Sequence, residues 1–202
     1  MLAVLDYGIG NLHSAQKALQ HVGADARLVT TAAEAEGATG VVLPGVGAFG
    51  ACMEALRSSG LDEVALGAID AGTPFLGICV GMQLLYEGSD EDPPATGLGV
   101  LPGWLRKLPE TVKRPQMQWN VLDLDRGDDP LVRDLGAEPW VYFVHSFAAA
   151  PSDDTVATCD YGGPVVAVER RDNVWAAQFH PEKSGPVGLQ ILRNFVTITE
   201  SP

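Results

Sequence analysis

The stretch Pro74-Phe75-Leu76-Gly77-Ile78-Cys79-Val80-Gly81-Met82-Gln83-Leu84-Leu85-Tyr86 reads as a short apolar strand over 74–78 that turns directly into a helix over 80–86. A buried strand that runs straight into a helix is the unit of a parallel sheet, because parallel neighbours need a crossover between them. Cys79 sits at the junction, flanked by Gly77 and Gly81. Glycines at those two positions suit a sharp, strained turn, since side chains there would collide with the neighbouring strand and helix.

The same alternation fills the first half of the chain. Leu2 to Asp6 reads as a strand, Asn11 to His21 as a helix and Ala26 to Val29 as a second strand. Gly40 to Leu43 reads as a third strand that ends in the turn Pro44-Gly45-Val46-Gly47, with helices over 51–57 and 61–71 behind it. From Glu87 to about Arg114 the pattern breaks into Gly, Pro and acidic residues, which predicts a surface loop leading into short antiparallel strands. Beyond it, residues 140–147, 165–169 and 174–179 read as strands, separated by turns at Asp160-Tyr161-Gly162-Gly163 and Arg171-Asp172-Asn173. A helix over 186–196 follows, with Pro186 in its first turn. The result is an α/β fold with a largely parallel sheet and an added antiparallel β region in the second half. No repeat or interdomain linker interrupts it, so residues 1–202 are expected to form a single domain.

Composition narrows the class. A chain of 202 residues can bury about 70% of its unfolded surface, and 46% hydrophobic against 19% charged residues is ordinary globular usage. The net charge of −13 repels phosphate backbones and anionic membranes, which argues against nucleic acid and membrane partners. A phosphorylated small molecule stays open, since net charge speaks only to the far field. Cys52, Cys79 and Cys159 lack CxxC spacing and fit reduced thiols of a cytoplasmic protein better than disulfides or a metal site. The N-terminus reads as a strand and not a signal peptide, and no run approaches the ~20 apolar residues of a membrane span.

An isolated cysteine after a strand is most often a small buried hydrophobe. The flanking glycines favour another role. A thiol at a helix N-terminus is drawn toward thiolate by the dipole, and the N–H of Val80 is free to donate to an oxyanion. The Gly45-Val46-Gly47 turn can present further N–H groups to such a charge, or be merely a turn. Near the C-terminus, Trp175-Ala176-Ala177-Gln178-Phe179-His180-Pro181-Glu182-Lys183-Ser184 ends a strand in His-Pro-Glu. A thiol nucleophile needs an imidazole to move its proton and a third group to fix the imidazole's tautomer, and His180 with Glu182 can do both. Alone, His-Pro-Glu is a weak signal; together with the elbow it forms a constellation that random placement seldom gives. His145 competes for the base role but has no carboxylate near it in sequence, so it reads as part of a substrate wall; His13 and His21 read as surface residues.

In order along the chain, PGVG (44–47), GICVGMQLL (77–85) and QFHPEKS (178–184) resemble the three signature segments of the class I glutamine amidotransferases. The likeness spans nearly the whole chain. It implies a doubly wound α/β fold with helices on both faces, a Cys79–His180–Glu182 triad, and hydrolysis of glutamine through a thioester with release of ammonia. Three further segments, DYGIGNLHS (6–14), PQMQWN (115–120) and YFVHSF (142–147), narrow the likeness to the branch serving histidine biosynthesis. In that branch the glutaminase forms a heterodimer with a barrel-shaped cyclase subunit, which uses the ammonia to make imidazole glycerol phosphate and an aminoimidazole carboxamide ribotide. The isolated glutaminase is then expected to be nearly inactive until the partner and its ligand arrange the oxyanion loop. The resemblance assigns glutamine binding to Gly47, Gln83, His145, Ser146 and Phe147, and implies no cofactor. Two positions depart from the pattern: Gln118 stands where the family has glycine, in a segment near the partner, and Phe147 where tyrosine is common. Trp119 and Trp140 read as packing anchors. A glutaminase of another pathway, a cysteine peptidase or stress-response hydrolase of the same fold, and a non-catalytic regulatory module remain the alternatives.

Overall fold

The structure, a computed structural model, describes residues 1–200. In chain order the elements are β1 (Leu2–Leu5), α1 (Leu12–His21), β2 (Ala26–Val29), α2 (Ala32–Ala35), β3 (Gly40–Gly45), α3 (Phe49–Ser58), α4 (Leu61–Asp70), β4 (Phe75–Cys79) and α5 (Val80–Gln83). There follow β5 (Gly88–Ser89), β6 (Trp104–Lys107), β7 (Gln116–Val121), β8 (Asp123–Leu124), β9 (Trp140–His145), β10 (Phe147–Ala148), β11 (Thr155–Asp160), β12 (Pro164–Arg171), β13 (Val174–Ala177) and α6 (Gly185–Glu200).

The main sheet has the order β2-β1-β3-β4-β13-β12-β11-β8. Its first five strands are parallel and its last three antiparallel. The chain leaves β1 toward β2, then returns to place β3 on the other side of β1, so the winding reverses there. Right-handed crossovers in opposite directions put helices on opposite faces: α1 packs beside α6, and α3 beside α4. Strands covered on both faces must be apolar throughout, and every residue of β1, β3, β4 and β13 is buried. α1 meets this sheet through Leu12, Ala15 and Leu19, and α6 through Ile191, Leu192 and Phe195, the spacing of one helical face.

The differences from the sequence-based expectation have local causes. β3 continues through Pro44 and Gly45, which pair with Ile78 and Cys79, so the turn starts two residues later. The 140–147 strand breaks at Ser146: β9 pairs with β7, whereas β10 pairs with β6 in a separate sheet. Residues 87–101 are not a simple surface loop. Gly88 and Ser89 are buried, and the N–H groups of Leu98 and Leu101 donate to the carbonyls of Leu84 and Leu85, which the end of α5 leaves open. β6 is antiparallel to β10 as expected but parallel to β5. Trp119 and Trp140 are not packing anchors: each is 47% exposed. On the β7–β9 ribbon they share an outward face with Met117 and Tyr142, while Val141, Phe143 and His145 point inward.

Candidate active site

Three adjacent parallel strands bring the three sequence motifs to one edge. β4 ends at Cys79, β3 places Gly45 directly opposite it, and β13 pairs Ala177 with Ile78, so His180 emerges just beyond the same edge. Ligand sites in open α/β sheets form at these carboxyl ends. Cys79 has φ 55° and ψ −111°, a backbone conformation an L residue rarely adopts. The two glycines around it are sterically required: a Cβ on Gly81 would run into the Leu43 carbonyl, and one on Gly77 would lie 2.9 Å from the Gly81 carbonyl. Cys79 thus projects from a tight strand-to-helix corner onto the first turn of α5, where the N–H of Val80 has no intrahelical acceptor.

The imidazole of His180 is held by Glu182. Its Nδ1 lies 2.8 Å from Glu182 Oε1, and the ring stands beside Cys79 in the lining of one cavity. The backbone is fixed as well: His180 N–H donates to the Tyr142 carbonyl, and Ser184 Oγ donates to the His180 carbonyl at 2.6 Å while accepting from Tyr142 N–H at 3.0 Å. Burial disfavours the imidazolium, but Cys79 and Glu182 beside the ring outweigh it and hold the pKa at about 9. This arrangement can pass a proton between sulfur and a leaving group while Glu182 fixes the tautomer.

Beside the pair lies a cavity of about 460 Å³, a size that suits a small molecule, lined by Val46, Gly47, Cys79, Gln83, Glu91, His145, Ser146, Phe147 and His180 among others. All the residues singled out as substrate wall therefore meet in one place. Their polar groups are partly committed. Gln83 Nε2 donates to the Phe147 carbonyl at 3.2 Å and to Gln178 Oε1 at 3.1 Å, which leaves Gln83 Oε1 for a ligand. The Ser146 carbonyl takes Leu108 N–H. His145 Nδ1 donates to the Phe147 carbonyl at 2.9 Å, and burial pushes the ring down to about 4 and keeps it neutral, so Nε2, 3.0 Å from the end of the Gln116 side chain, accepts from that amide with its NH2 turned inward. Both rings are buried, and what separates them is their company: His180 has the Glu182 carboxylate beside it, whereas His145 has only a carbonyl and an amide.

Sequence reasoning missed Glu91. It lies in the acidic run after α5, faces the cavity, and its Oε2 accepts Phe49 N–H at 2.9 Å at the start of α3. Among the described residues no cluster of His, Cys, Asp and Glu could hold a metal ion, and no helix is long and apolar enough to cross a membrane.

This geometry has counterparts in known proteins. Residues 3–199 match the family model "Glutamine amidotransferase class-I". The chain belongs to the class-I glutamine amidotransferases. Relatives of this amidotransferase include "Imidazole glycerol phosphate synthase subunit HisH" of Synechococcus elongatus, 49% identical over 201 residues, 97% of this chain and 92% of that one. The proteins of the same description from Deinococcus radiodurans (48% over 197 residues, 95% and 91% covered) and Bacillus cereus (45% over 202 residues, 100% and 96% covered) are similarly close. Among solved structures, one described as glutamine amidotransferase superimposes with a TM-score of 0.78 at 20% identity, covering 99% of both chains. PurLQS from Thermotoga maritima superimposes at 0.75 and 20% identity, covering 98% of this chain and 97% of that one; both share the fold of this amidotransferase.

Proposed function

We propose that this amidotransferase is the glutaminase subunit of an imidazole glycerol phosphate synthase, working in the cytoplasm as one domain in a heterodimer with a cyclase subunit. The observation that carries the catalytic part is the juxtaposition of Cys79 with His180, itself hydrogen-bonded to Glu182, with Cys79 on a strained corner at the mouth of an amino-acid-sized cavity. The Cys79 sulfur, as thiolate, attacks the side-chain amide carbon of glutamine. The oxygen takes up negative charge and is met by N–H groups of Val80 and of the Gly45-Val46-Gly47 loop. As the C–N bond breaks, His180 gives its proton to the departing nitrogen, and ammonia leaves. Water then attacks the thioester, His180 accepts its proton, and glutamate and the Cys79 sulfur are released.

The wall groups match the other end of the substrate. Glu91 supplies the negative charge that an α-ammonium group needs, helped by Gln83 Oε1. With the Ser146 and Phe147 carbonyls committed, the N–H groups of those residues remain for the α-carboxylate. The acceptor of the ammonia is assigned to another chain, since the cavity, at about 460 Å³, is sized for one small molecule and the sequence carries no GxxxxGKS phosphate-binding loop. The outward face of the β7–β9 ribbon supports a partner surface: Met117 is 61% exposed and stands with Trp119 and Trp140, and Val144 of the same face lines the cavity. Ammonia release from glutamine, measured with and without a cyclase subunit and its ligand, tests the proposal. Stimulation by the partner, abolished by Cys79→Ala, is the expected result; no glutamine hydrolysis in either condition would overturn it.

A further inference from the structure

A series of buried polar groups runs behind the substrate wall without touching the reacting atoms. Its links are Cys159 on β11, Gln116 at the start of β7 and His145 at the end of β9, all buried, and it ends on the Phe147 carbonyl. Gln116 and His145 stand opposite each other in the β7–β9 register. His145 Nδ1 lies 2.9 Å from the Phe147 carbonyl, and His145 Nε2 lies 3.0 Å from one end of the Gln116 amide. The other end of that amide lies 3.7 Å from Cys159 Sγ.

Proton counting gives each link a direction. A carbonyl oxygen only accepts, so Nδ1 carries a proton. Burial, seconded by the charge of His180, keeps the ring neutral, so Nε2 holds a lone pair and takes its hydrogen bond from the amide NH2. The amide oxygen then faces Cys159, whose thiol burial pushes up to about 11, so the S–H proton is present to donate. Gln116 has no solvent exposure, which leaves no water to stand in for either partner. At its far end the series acts on the wall. The strand breaks at Ser146, and the His145–Phe147 bond spans the break, while Gln83 donates to the same carbonyl at 3.2 Å. Two donors on one carbonyl fix the turn whose Ser146 and Phe147 N–H groups are assigned above to the α-carboxylate of glutamine. With the amide reversed, its oxygen would draw the proton to Nε2 and leave Nδ1 facing the Phe147 carbonyl with a lone pair. We infer that Gln116 is a positioning residue for glutamine binding, its NH2 holding His145 in the Nδ1–H form that clasps the Phe147 carbonyl, with the Cys159 S–H keeping the amide so turned. This rests on the glutaminase function proposed above. The α-carboxylate is held alike in the ground state and the transition state, so the effect falls on KM and not on kcat.

The first test is nitrogen NMR on the isotope-labelled chain near neutral pH. His145 should show a protonated Nδ1 and an unprotonated Nε2, with a coupling across the hydrogen bond between Gln116 Nε2 and His145 Nε2. A neutral ring protonated at Nε2 would overturn the inference, because Gln116 would then present its oxygen. The second test uses the complex with the cyclase subunit and its ligand. Gln116→Met, which keeps the length and removes the amide, should raise KM for glutamine on the order of threefold to tenfold with kcat within about twofold. Cys159→Ala should raise KM in the same direction, and Cys159→Ser, which keeps a donor, should restore most of it. An unchanged KM in Gln116→Met would overturn the inference. So would a fall in kcat as large as the rise in KM, because a general loosening of the site would then be the cause. An unsubstituted complex that releases no ammonia from glutamine would instead overturn the proposed function and this inference with it.

Discussion

Gly45 stands directly opposite Cys79 across the β3–β4 ladder, and the place a Cβ would occupy on Gly45 lies 2.7 Å from Tyr7 Oη and 2.8 Å from Gly81 N. The loop that follows Gly45 is thereby seated on the first turn of α5, with no space for even a methyl group. Gly45→Ala must push β3 and α5 apart or displace Tyr7. Overpacking of this kind costs about 1–3 kcal/mol. The expected outcome is a lowered thermal midpoint together with a loss of glutaminase activity larger than the stability change alone would cause. An active Gly45→Ala complex of unchanged stability would show that the loop is not held by this contact.

Cys79 itself stores strain. At φ 55° a residue with a Cβ pays a conformational penalty that glycine escapes, of roughly 1 kcal/mol or more. Cys79→Ala and Cys79→Gly should both abolish thioester formation. Cys79→Gly should nonetheless be at least as stable as Cys79→Ala in denaturant unfolding, the reverse of the usual order for a buried strand-to-helix position. A Gly variant markedly less stable than the Ala variant would contradict the strain.

The two buried histidines are displaced in opposite directions from their ordinary value of 6.5, His145 to about 4 and His180 to about 9. For His145 the unfolded chain binds the proton first, so its contribution to stability is present above about 6.5 and lost as pH falls toward 4. For His180 the folded chain holds the proton longer, so its contribution is fully present below about 6.5 and lost as pH rises through 9. Histidine NMR titration should place one midpoint on each side of the ordinary value. Glu182→Gln removes one support of the His180 charge and should lower only the upper midpoint. Glutaminase kcat should decline as pH passes the same midpoint, since the imidazolium must protonate the leaving nitrogen. Midpoints near the ordinary value for both His145 and His180 would refute the assignment.

How far this site could be foreseen depended on how local its physics is. Gly81, which a Cβ would drive into Leu43 of β3, was legible only as the second glycine of the elbow pattern, whereas Gly77 and Cys79 were legible because their demand is local, a Cβ on Gly77 meeting the Gly81 carbonyl four residues on. His180 and Glu182 were legible for the same reason, their bond spanning one intervening proline. Glu91 was not, because its place at the cavity comes from a segment that folds back onto a helix start 42 residues away. β7 was missed although Gln116-Met117-Gln118-Trp119-Asn120-Val121 alternates polar and apolar residues; the pattern is inverted, since Met117 and Trp119 face outward while Gln116 is buried. Trp119 and Trp140 were misplaced by the same reasoning, since large apolar side chains belong in the core unless another surface covers them.

Among the described residues Glu91 is the only carboxylate lining the cavity, and it also caps α3 through Phe49 N–H. Glu91→Gln keeps an acceptor for that N–H and removes the charge. The expected outcome is a raised KM for glutamine, with stability nearly unchanged. Desolvated ammonium–carboxylate pairing is worth about 1.5–3 kcal/mol, so the rise should be on the order of tenfold to a hundredfold. Equal KM values for the two proteins would place the substrate ammonium elsewhere.

The exposed ribbon face bears on the partner. Trp119 and Tyr142 pair across β7 and β9 with ring centroids 6.0 Å apart, and the Tyr142 backbone carbonyl accepts His180 N–H. A surface that covers Trp119 therefore presses on the strand that holds the catalytic imidazole. Trp119→Ala removes an exposed ring, so the isolated chain should lose little stability. It should weaken binding to the cyclase subunit by about 2 kcal/mol or more, as for a central aromatic anchor. In isothermal titration the expected signature is a Kd raised roughly thirtyfold, while saturating partner should restore most of the glutaminase rate. If binding is unaffected by both Trp119→Ala and Trp140→Ala, the partner docks on a different face.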